Sequence, residues 1–351
     1  MKPYAVLVVD DSAVARAAVS RFIEEDPEFR LVGIARNGRD AIEKVERLRP
    51  DVVTMDIEMP EMDGIQALRE IMARCPVPVV MLSHHTRHGA EMTLLSLECG
   101  AVDFFPKDWL MEATAGSLRH AKSFRDCLRT AAAANIVGLR NATPVSPDPP
   151  PKMSGGAIEL VVIGCSTGGP AALQEILPQF SADEGPAVLV VQHMPPGFTK
   201  ALAERFNSLC RMRVKEAEEG DIVRPGHIYI APAGFQTVIE LTSSGHKRVR
   251  VRDDLAVATS YKPSIDVTLQ SAAPIYGERL LVAILTGMGN DGLAGCAAVK
   301  HHRGKVIAEA EETCVVYGMP RAVQEAGLAD VQVPRGDIYR TIVGYSAAKG
   351  G

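Results

Sequence analysis

Short apolar runs alternate with longer segments of helical periodicity over residues 1–126. The apolar runs are AVLVVDD, FRLVGIAR, DVVTMD, PVPVVMLS and AVDFFPK, and the segments between them repeat apolar residues every three or four positions. Continuous apolar strands are typical of a parallel sheet that helices cover on both faces. The pattern predicts five strands and five helices, the last near residues 108–128, in a doubly wound α/β domain.

Residues 157–347 begin with the same alternation and then depart from it. The runs AIELVVIGCS and AVLVVQHM are each followed by a segment of helical period. The stretch TVIELTSSGHKRVRVRD has Ser-Gly near its centre and predicts an antiparallel hairpin. A helix near residues 264–274, the strand RLLVAILTG and a helix after Asn290-Asp291-Gly292 complete the pattern. We predict a second doubly wound, parallel-sheet α/β domain with an inserted hairpin.

The stretch between these halves is rich in alanine and proline. Residues 127–156 contain the run ATPVSPDPPPKMSGG and carry few charges. Such a segment cannot bury a core and favours extended conformations. A chain of 351 residues also exceeds what a single hydrophobic core usually holds. We therefore expect a flexible Pro-rich linker between two domains.

Composition narrows the classes of partner. With 38 basic and 43 acidic residues the chain has no wide positive field, so nucleic acid is not an expected partner. No run of 18 apolar residues occurs, so we expect no direct membrane insertion. The seven cysteines are scattered and none forms a C-x-x-C pair, as is typical of reduced cytosolic thiols. Since no signal-peptide pattern is visible either, we expect a cytoplasmic protein.

Polar side chains follow the predicted strands of the first half. Asp10 and Asp11 end the first strand, Asp56 ends the third, and Ser83 and Lys107 end or follow the fourth and fifth. The carboxyl ends of parallel strands meet at one edge, so these side chains are expected to converge. Clustered carboxylates repel unless a cation joins them, and hard oxygen ligands suit Mg²⁺. An aspartate at the centre would attack a phosphoryl group, and the hydroxyl and ammonium would hold its oxygens.

The segments LVVDDS, MDIEMPEMDG and VDFFPK resemble the receiver domain of two-component response regulators. The resemblance covers residues 1–126 and implies a flavodoxin-like fold, phosphorylation of Asp56 by a histidine kinase, and phosphate contacts from Ser83 and Lys107. It also implies that Phe104, three residues before the lysine, reorients on activation. The implied Mg²⁺ ligands are Asp10, Asp11, Asp56 and the backbone carbonyl of Glu58.

A candidate nucleophile follows the first strand of the second half. Gly164-Cys165-Ser166-Thr167-Gly168 fits G-x-S-x-G at a strand-to-helix turn, which would lift Ser166 above the sheet. The amides of the following helix would stabilise an oxyanion. Cys165 is the alternative nucleophile, although the residue before an elbow serine usually points into the sheet. A nucleotide-binding loop is the other alternative, but the GCSTGG loop lacks the G-x-G-x-x-G pattern.

A serine nucleophile needs a base and an orienting acid. Of the five histidines in this half, only His193 follows a predicted strand at the edge that carries Ser166. Asp291, in LTGMGNDG, likewise follows the end of an apolar strand, whereas the other aspartates lie in turns, helices or exposed segments. We predict a triad of Ser166, His193 and Asp291. This chemistry requires no cofactor.

The segments GCSTGG, VVQHMP and LTGMGNDG resemble the catalytic domain of the CheB family of chemotaxis protein-glutamate methylesterases. The order of receiver, linker and esterase domain (157–347) runs over nearly the whole chain. The resemblance implies hydrolysis of glutamate γ-methyl esters on cytoplasmic chemoreceptor helices, with methanol as product and the backbone amide of Met288 as an oxyanion donor. Glutamine deamidation by the same chemistry stays open. Our hypothesis for control is that the unphosphorylated receiver covers Ser166 and that phosphate on Asp56 weakens this contact.

A response regulator that acts by binding alone, with a silent second half, is the alternative function. It predicts a recognition helix, a basic face or an aromatic platform in residues 157–347, and the sequence offers none of these. The nearest feature is the alternating strip of Lys247, Arg248, Arg250 and Arg252 on the predicted hairpin. Acidic receptor helices are a candidate partner for this strip.

Overall fold

The computed structural model describes residues 2–84, 86–114, 117–136, 158–181, 185–254, 259 and 261–346. The chain divides into two compact units, Met1–Val137 and Gly138–Gly351. None of the described helices is both long and apolar enough to span a membrane. Most of the expected linker, from residue 137 to residue 156, lies outside the described residues.

The first unit is a five-stranded parallel sheet with helices between its strands. The strands are β1 (Tyr4–Val9), β2 (Phe29–Ala35), β3 (Val52–Asp56), β4 (Val79–Ser83) and β5 (Asp103–Pro106). The helices are α1 (Ala13–Glu24), α2 (Gly38–Leu48), α3 (Gly64–Arg74), α4 (Arg87–Glu98), α5 (Lys107–Thr114) and α6 (Leu118–Ala132). The strand order is β2-β1-β3-β4-β5, and every neighbouring pair is parallel. The predicted doubly wound fold is confirmed.

The closing helix of this unit differs from the prediction. Instead of one helix near residues 108–128, the chain forms α5 and then α6, which ends at Ala132. The first residues of the expected linker are therefore helical. The physical reason is burial: Phe124 and Leu128 of α6 are fully buried, and the Phe124 ring packs against Phe22 and Phe105. No proline interrupts the alanine-rich end of this helix.

The second unit combines a seven-stranded parallel sheet with a separate hairpin. The sheet strands are β6 (Leu160–Cys165), β7 (Ala187–Gln192), β8 (Arg213–Glu216), β9 (His227–Ile230), β12 (Leu280–Ile284), β13 (Lys305–Glu309) and β14 (Val331–Val333), and the hairpin strands are β10 (Gln236–Leu241) and β11 (Lys247–Arg252). The helices are α7 (Gly169–Ile176), α8 (Phe198–Leu209), α9 (Ile265–Tyr276), α10 (Leu293–His301), α11 (Met319–Glu325) and α12 (Ile338–Ser346). The predicted second parallel-sheet domain and its hairpin are confirmed.

The order of strands in the second sheet places its working edge. The order is β14-β13-β12-β6-β7-β9-β8. Strands β7, β9 and β8 therefore lie on one side of β6, and β12, β13 and β14, which come later in the chain, lie on the other. All residues of β6, β7 and β12 are buried. In open α/β sheets a crevice forms at the carboxyl ends of the strands where the order reverses. Here that crevice lies where β12, β6 and β7 end.

The hairpin packs on α9 through polar contacts. The Thr268 hydroxyl donates to the Thr237 carbonyl at 2.8 Å, and the Ile239 amide donates to the Ser271 hydroxyl at 2.9 Å. The basic strip on β11 is paired with acidic side chains of the same unit. The pairs are Lys247 with Glu159, Arg248 with Glu240, Arg250 with Glu219 and Glu240, and Arg252 with Asp254. The charge that the strip would offer to an acidic partner is thus largely compensated.

Candidate functional site

Carboxylates and one ammonium group converge at the carboxyl ends of β1, β3 and β5. Carboxylate oxygens of Asp10, Asp11 and Asp56 all lie within 4.8 Å of one another. The Lys107 ammonium lies 2.6 Å from Asp56 Oδ2 and 2.8 Å from Asp10 Oδ2. Asp10, Asp56 and Lys107 are buried, whereas Asp11 is exposed. The sequence-predicted cluster is therefore present in the first unit.

The cluster carries more negative than positive charge, and this affects Asp56. Burial raises the pKa of Asp56 to about 6; Asp10 and Asp11 act in the same direction, and Lys107 opposes them. Burial disfavours the charged form of Lys107 as well, but the Asp56 and Asp10 carboxylates raise the pKa of Lys107 above its usual value. A divalent cation would relieve the remaining repulsion, and three carboxylates are the hard oxygen donors that Mg²⁺ prefers. The donor set fits Mg²⁺.

The loop after β3 is held close to Asp56. Glu58, the expected source of a carbonyl ligand, is exposed two residues beyond Asp56. The Gly64 amide donates to the Ile57 carbonyl at 2.9 Å. A Cβ atom on Gly64 would lie 1.9 Å from the Asp56 carbonyl oxygen, so only glycine fits at the start of α3. Sequence reasoning missed Gly64, although its place at the end of MDIEMPEMDG was a usable signal.

Ser83 and Phe104 are both buried. The Ser83 hydroxyl donates to the Gly89 carbonyl at 3.1 Å and accepts a hydrogen bond from the Thr93 hydroxyl at 2.6 Å. It must therefore exchange its contacts with α4 before it can bind a phosphate oxygen. Phe104 is only 6% exposed, so a reorientation of its ring requires repacking. The roles of both residues in phosphate binding and switching stay predictions.

In the second unit, Ser166 lies in a tight turn between β6 and α7. Its amide donates to the Thr286 carbonyl at 3.0 Å, and its carbonyl accepts the Gly169 amide at 2.8 Å. Gly168 has a φ of 80°, a left-handed conformation that favours glycine. Ser166 thus directly follows the end of a buried strand and lies three residues before the first residue of α7, as the G-x-S-x-G pattern predicts.

His193 follows the neighbouring strand and is paired with Asp291. The His193 amide donates to the Cys165 carbonyl at 3.0 Å, which places His193 beside the turn that carries Ser166. Its Nε2 lies 2.7 Å from Asp291 Oδ2. Its Nδ1 is buried and finds no hydrogen-bond partner among the described residues. In the serine-protease triad the acid binds Nδ1; here it binds Nε2, and Nδ1 is the nitrogen left for a serine proton.

Asp291 is fixed by the first residues of α9. Its Oδ1 accepts the Ser264 hydroxyl at 2.9 Å and the Asp266 amide at 3.1 Å. Its Oδ2 accepts the Ile265 amide at 2.7 Å as well as the His193 ring. Burial opposes the charge, but these hydrogen bonds, led by that of His193, hold the pKa of Asp291 below its usual value. The residue is therefore an anion next to the imidazole.

Two further expectations concern residues next to Ser166. A Cβ atom on Gly287 would lie 2.7 Å from Ser166 Cβ, so the segment that includes Met288 passes directly beside the serine. The Met288 side chain is 40% exposed. The Cys165 thiol, in contrast, is fully buried and donates to Gln192 Oε1 at 3.0 Å. Because burial raises the pKa of Cys165, this thiol is a poor nucleophile.

Comparisons with known proteins give a match for each of the two units. The family model described as CheB methylesterase matches residues 161–342, and that of the response regulator receiver domain matches residues 6–118. The chain is 45% identical over 348 residues to a protein-glutamate methylesterase/protein-glutamine glutaminase of Symbiobacterium thermophilum, covering 95% of this chain and 94% of that protein. The chain belongs to the CheB methylesterase family.

Other relatives support the same assignment. A protein-glutamate methylesterase/protein-glutamine glutaminase 1 of Vibrio cholerae is 43% identical over 360 residues, with 94% of this chain and 95% of that protein covered. The crystal structure of the Thermotoga maritima CheB methylesterase catalytic domain is 43% identical and has a TM-score of 0.51. The match covers 54% of this chain and 98% of the chain in that structure. The family resemblance expected from the sequence is confirmed.

Two residues that sequence reasoning missed contact the residues of this CheB site. The buried Gln192 amide donates to the carbonyls of Ser166 at 3.0 Å and His193 at 2.8 Å, so one side chain holds both backbones. A buried polar residue at the end of a strand was the available signal. Tyr261 stacks on the His193 ring. It lies in an irregular segment whose pattern gives no such signal.

Proposed function

We propose that this chain is a protein-glutamate methylesterase that also deamidates glutamine and whose rate rises when Asp56 is phosphorylated. The observation that carries the proposal is the His193 imidazole, whose backbone lies beside the Ser166 turn. It is anchored to Asp291 through Nε2, and its buried Nδ1 has no hydrogen-bond partner among the described residues. The names of the relatives, protein-glutamate methylesterase/protein-glutamine glutaminase, give the substrate class. The substrate is a methylated side chain on a cytoplasmic helix of a chemoreceptor.

The reaction begins with attack by Ser166. Nδ1 of His193 takes the Ser166 hydroxyl proton as the oxygen adds to the ester carbonyl. The resulting oxyanion accepts hydrogen bonds from the Met288 amide and from amides at the start of α7. Asp291 remains ionised and stabilises the imidazolium through Nε2. The bond between carbonyl carbon and methoxy oxygen then breaks, and the methoxy oxygen takes the proton from Nδ1 and leaves as methanol.

The second half of the reaction returns the enzyme to its starting state. A water molecule gives a proton to Nδ1 and adds to the acyl-Ser166 carbonyl. Collapse of this intermediate breaks the bond to Ser166, which regains its proton from His193, and glutamate is released. A glutamine substrate follows the same steps with ammonia as the leaving group. The two activities therefore share every proposed residue.

Control resides in the first unit. The Asp56 carboxylate attacks the phosphoryl group of a phosphohistidine on a chemotaxis histidine kinase. An O–P bond to Asp56 forms as the P–N bond breaks, the kinase imidazole leaves, and Lys107 binds the phosphate charge. Asp10, Asp11, Asp56 and the Glu58 carbonyl would hold Mg²⁺. The ion would neutralise the carboxylates and the transferred phosphoryl oxygens. Ser83 would bind a phosphate oxygen after leaving α4.

The binding-only alternative has less support. It requires a surface on the second unit for a partner, and the basic strip on β11 is paired with acidic side chains of its own unit. It also gives no reason for a buried imidazole to be held by an aspartate at the carboxyl edge of the sheet. A catalytically silent domain would be free to lose this arrangement.

Peptide mass spectrometry of methylated chemoreceptor membranes after incubation with the purified chain tests the reaction. We expect methyl ester peptides to be converted to glutamate by the unsubstituted chain and by Cys165→Ala, but not by Ser166→Ala. Activity in Ser166→Ala with loss in Cys165→Ala would make the cysteine the nucleophile. Unchanged peptides with every folded protein would contradict the esterase function.

A further inference from the structure

The aromatic ring of Tyr261 lies flat against the imidazole of His193. The ring centroids are 4.2 Å apart and the planes are inclined by only 6°. Asp291 holds one edge of the imidazole through Nε2. The tyrosine ring covers one of the two faces of the imidazole. The side chain of Tyr261 thus limits both the tilt of the imidazole and the access of water to that face.

Tyr261 is itself fixed by residues that also fix Asp291. Gln236, which is buried, donates from Nε2 to the Tyr261 carbonyl at 2.7 Å and accepts the Ser264 amide at Oε1 at 2.9 Å. The Ser264 hydroxyl donates to Asp291 at 2.9 Å. A closed set of contacts therefore runs from Gln236 through Tyr261 to His193, and back through Asp291 and Ser264.

The hydroxyl end of Tyr261 reaches the segment that contains Met288. A Cβ atom on Gly289 would lie 3.2 Å from the Tyr261 hydroxyl oxygen. Gly289 has a φ of 82°, so the backbone turns sharply at this point. The same side chain thus stacks on the imidazole with its ring and brings its hydroxyl close to Gly289, the residue after Met288.

We propose that Tyr261 is a positioning residue that holds the His193 imidazole for proton transfer and stabilises its protonated form through the face of the ring. This inference rests on the proposed function, because it concerns the rate of the reaction assigned to Ser166 and His193. A cation over an aromatic face is attracted by the ring quadrupole. The stacked geometry therefore favours the imidazolium that forms as Ser166 loses its proton.

The titratable groups near the imidazole determine what a change in the pH dependence of a Tyr261 variant would mean. Asp291, which follows β12, is a titratable group in contact with the His193 ring, and so is Tyr261, which precedes α9. Asp266 lies one contact further away, with its amide on Asp291. A substitution of Tyr261 by an apolar residue leaves both carboxylates in place. A change in the pH dependence would therefore report the loss of the ring.

The test is the pH profile of kcat/KM for methanol release from methylated chemoreceptor membranes by the full chain. For Tyr261→Leu we expect the acidic limb to move to lower pH by roughly half a unit and the plateau to fall at least about threefold. Tyr261→Phe keeps the ring, so its acidic limb should stay at the wild-type position. Tyr339→Leu is the matched control, because Tyr339 packs on Phe180 through an edge contact in the same unit and should leave the profile unchanged.

Each outcome has a defined consequence. An acidic limb of Tyr261→Leu that coincides with that of the wild type overturns the proposal, and so does an equal shift in Tyr339→Leu. Loss of activity in a folded Tyr261→Phe protein overturns it as well, because the hydroxyl rather than the ring would then be essential. If Tyr261→Leu does not fold, Tyr261→Met replaces it, since methionine adapts to irregular spaces. A wild-type protein that releases no methanol contradicts the proposed function itself.

Discussion

Asp56 and Asp291 are both buried aspartates, and their surroundings move their pKa values in opposite directions. Asp56 has two carboxylate neighbours and one ammonium partner, and burial raises its pKa to about 6. Asp291 accepts hydrogen bonds from backbone amides and from His193, which hold its pKa below the usual value despite burial. The first arrangement favours the arrival of a cation, because a cation offsets the repulsion among the carboxylates. The second keeps a permanent anion beside the base.

The raised pKa of Asp56 predicts how stability depends on pH. A carboxyl with a higher pKa in the folded state favours folding at low pH, and this contribution is lost as the pH rises through about 6. Asp56→Asn removes the charge, so we expect the first unit to gain about 2 kcal/mol of unfolding free energy at pH 8. The gain should shrink towards pH 4. Thermal unfolding followed by fluorescence of Trp109, the single tryptophan, measures this in the first unit.

The control for this prediction is the exposed Glu24, whose substitution Glu24→Gln should leave the pH dependence unchanged. Mg²⁺ should raise the unfolding temperature of the wild type far more than that of Asp56→Asn, because the ion offsets the charge that the variant lacks. A less stable Asp56→Asn protein at pH 8 would show that the Lys107 ion pair outweighs the cost of burying the charge.

Two aspartates join helices α9 and α10, and each accepts backbone amides at the start of the other helix. Asp291, just before α10, accepts the amides of Ile265 and Asp266 at the start of α9. Asp266 in turn accepts the amides of Gly292 at 2.9 Å and Gly295 at 2.6 Å at the start of α10. Each carboxylate binds amides that would otherwise lack partners at a helix N-terminus. The acid of the candidate triad is therefore also part of a helix-to-helix connection.

This connection predicts different effects for two substitutions of Asp266. Asp266→Ala leaves both α10 amides without their acceptor, so we expect a loss of about 1–2 kcal/mol of unfolding free energy and a reduced kcat. Asp266→Asn keeps an acceptor oxygen and removes a charge that burial and Asp291 disfavour, since both raise the pKa of Asp266. It should stay close to the wild type. Calorimetry checks both predictions through the unfolding transition of the second unit, which is the one that Trp109 fluorescence does not report. Equal losses of unfolding free energy in Asp266→Ala and Asp266→Asn would contradict this role of the Asp266 carboxylate.

Strand ends were predictable from the sequence, and contacts from irregular segments were not. Asp10, Asp56, Ser166 and His193 each end or directly follow an apolar run, so the common edge of a parallel sheet brought Asp10 to Asp56 and His193 to Ser166. Tyr261 and Gln236 join the site through tertiary contacts across a segment without periodicity. The short strands β8 and β9 were missed as well, because their four-residue sequences, RVKE and HIYI, do not begin with an apolar run.

The whole chain carries two sites of complementary chemistry. In each unit the side chain that we propose as reactive ends or follows a buried strand of a parallel sheet, with Asp56 at the end of β3 and Ser166 directly after β6. One site is suited to accept a phosphoryl group, and the other is suited to transfer an acyl group to water. Membership of the CheB family, together with the receiver match, joins both in one chain. We propose that phosphate on Asp56 raises the rate of ester hydrolysis at Ser166.

The most direct test is methanol release from methylated chemoreceptor membranes by the full chain with Mg²⁺, before and after addition of acetyl phosphate. Three proteins are compared under the same conditions: wild type, Asp56→Asn and Ser166→Ala. We expect the phosphodonor to raise the rate severalfold in the wild type, to leave the basal rate of Asp56→Asn unchanged, and to produce no release with Ser166→Ala. Equal stimulation of the wild type and Asp56→Asn, or a wild-type rate that ignores the phosphodonor, would contradict the coupling between the two sites.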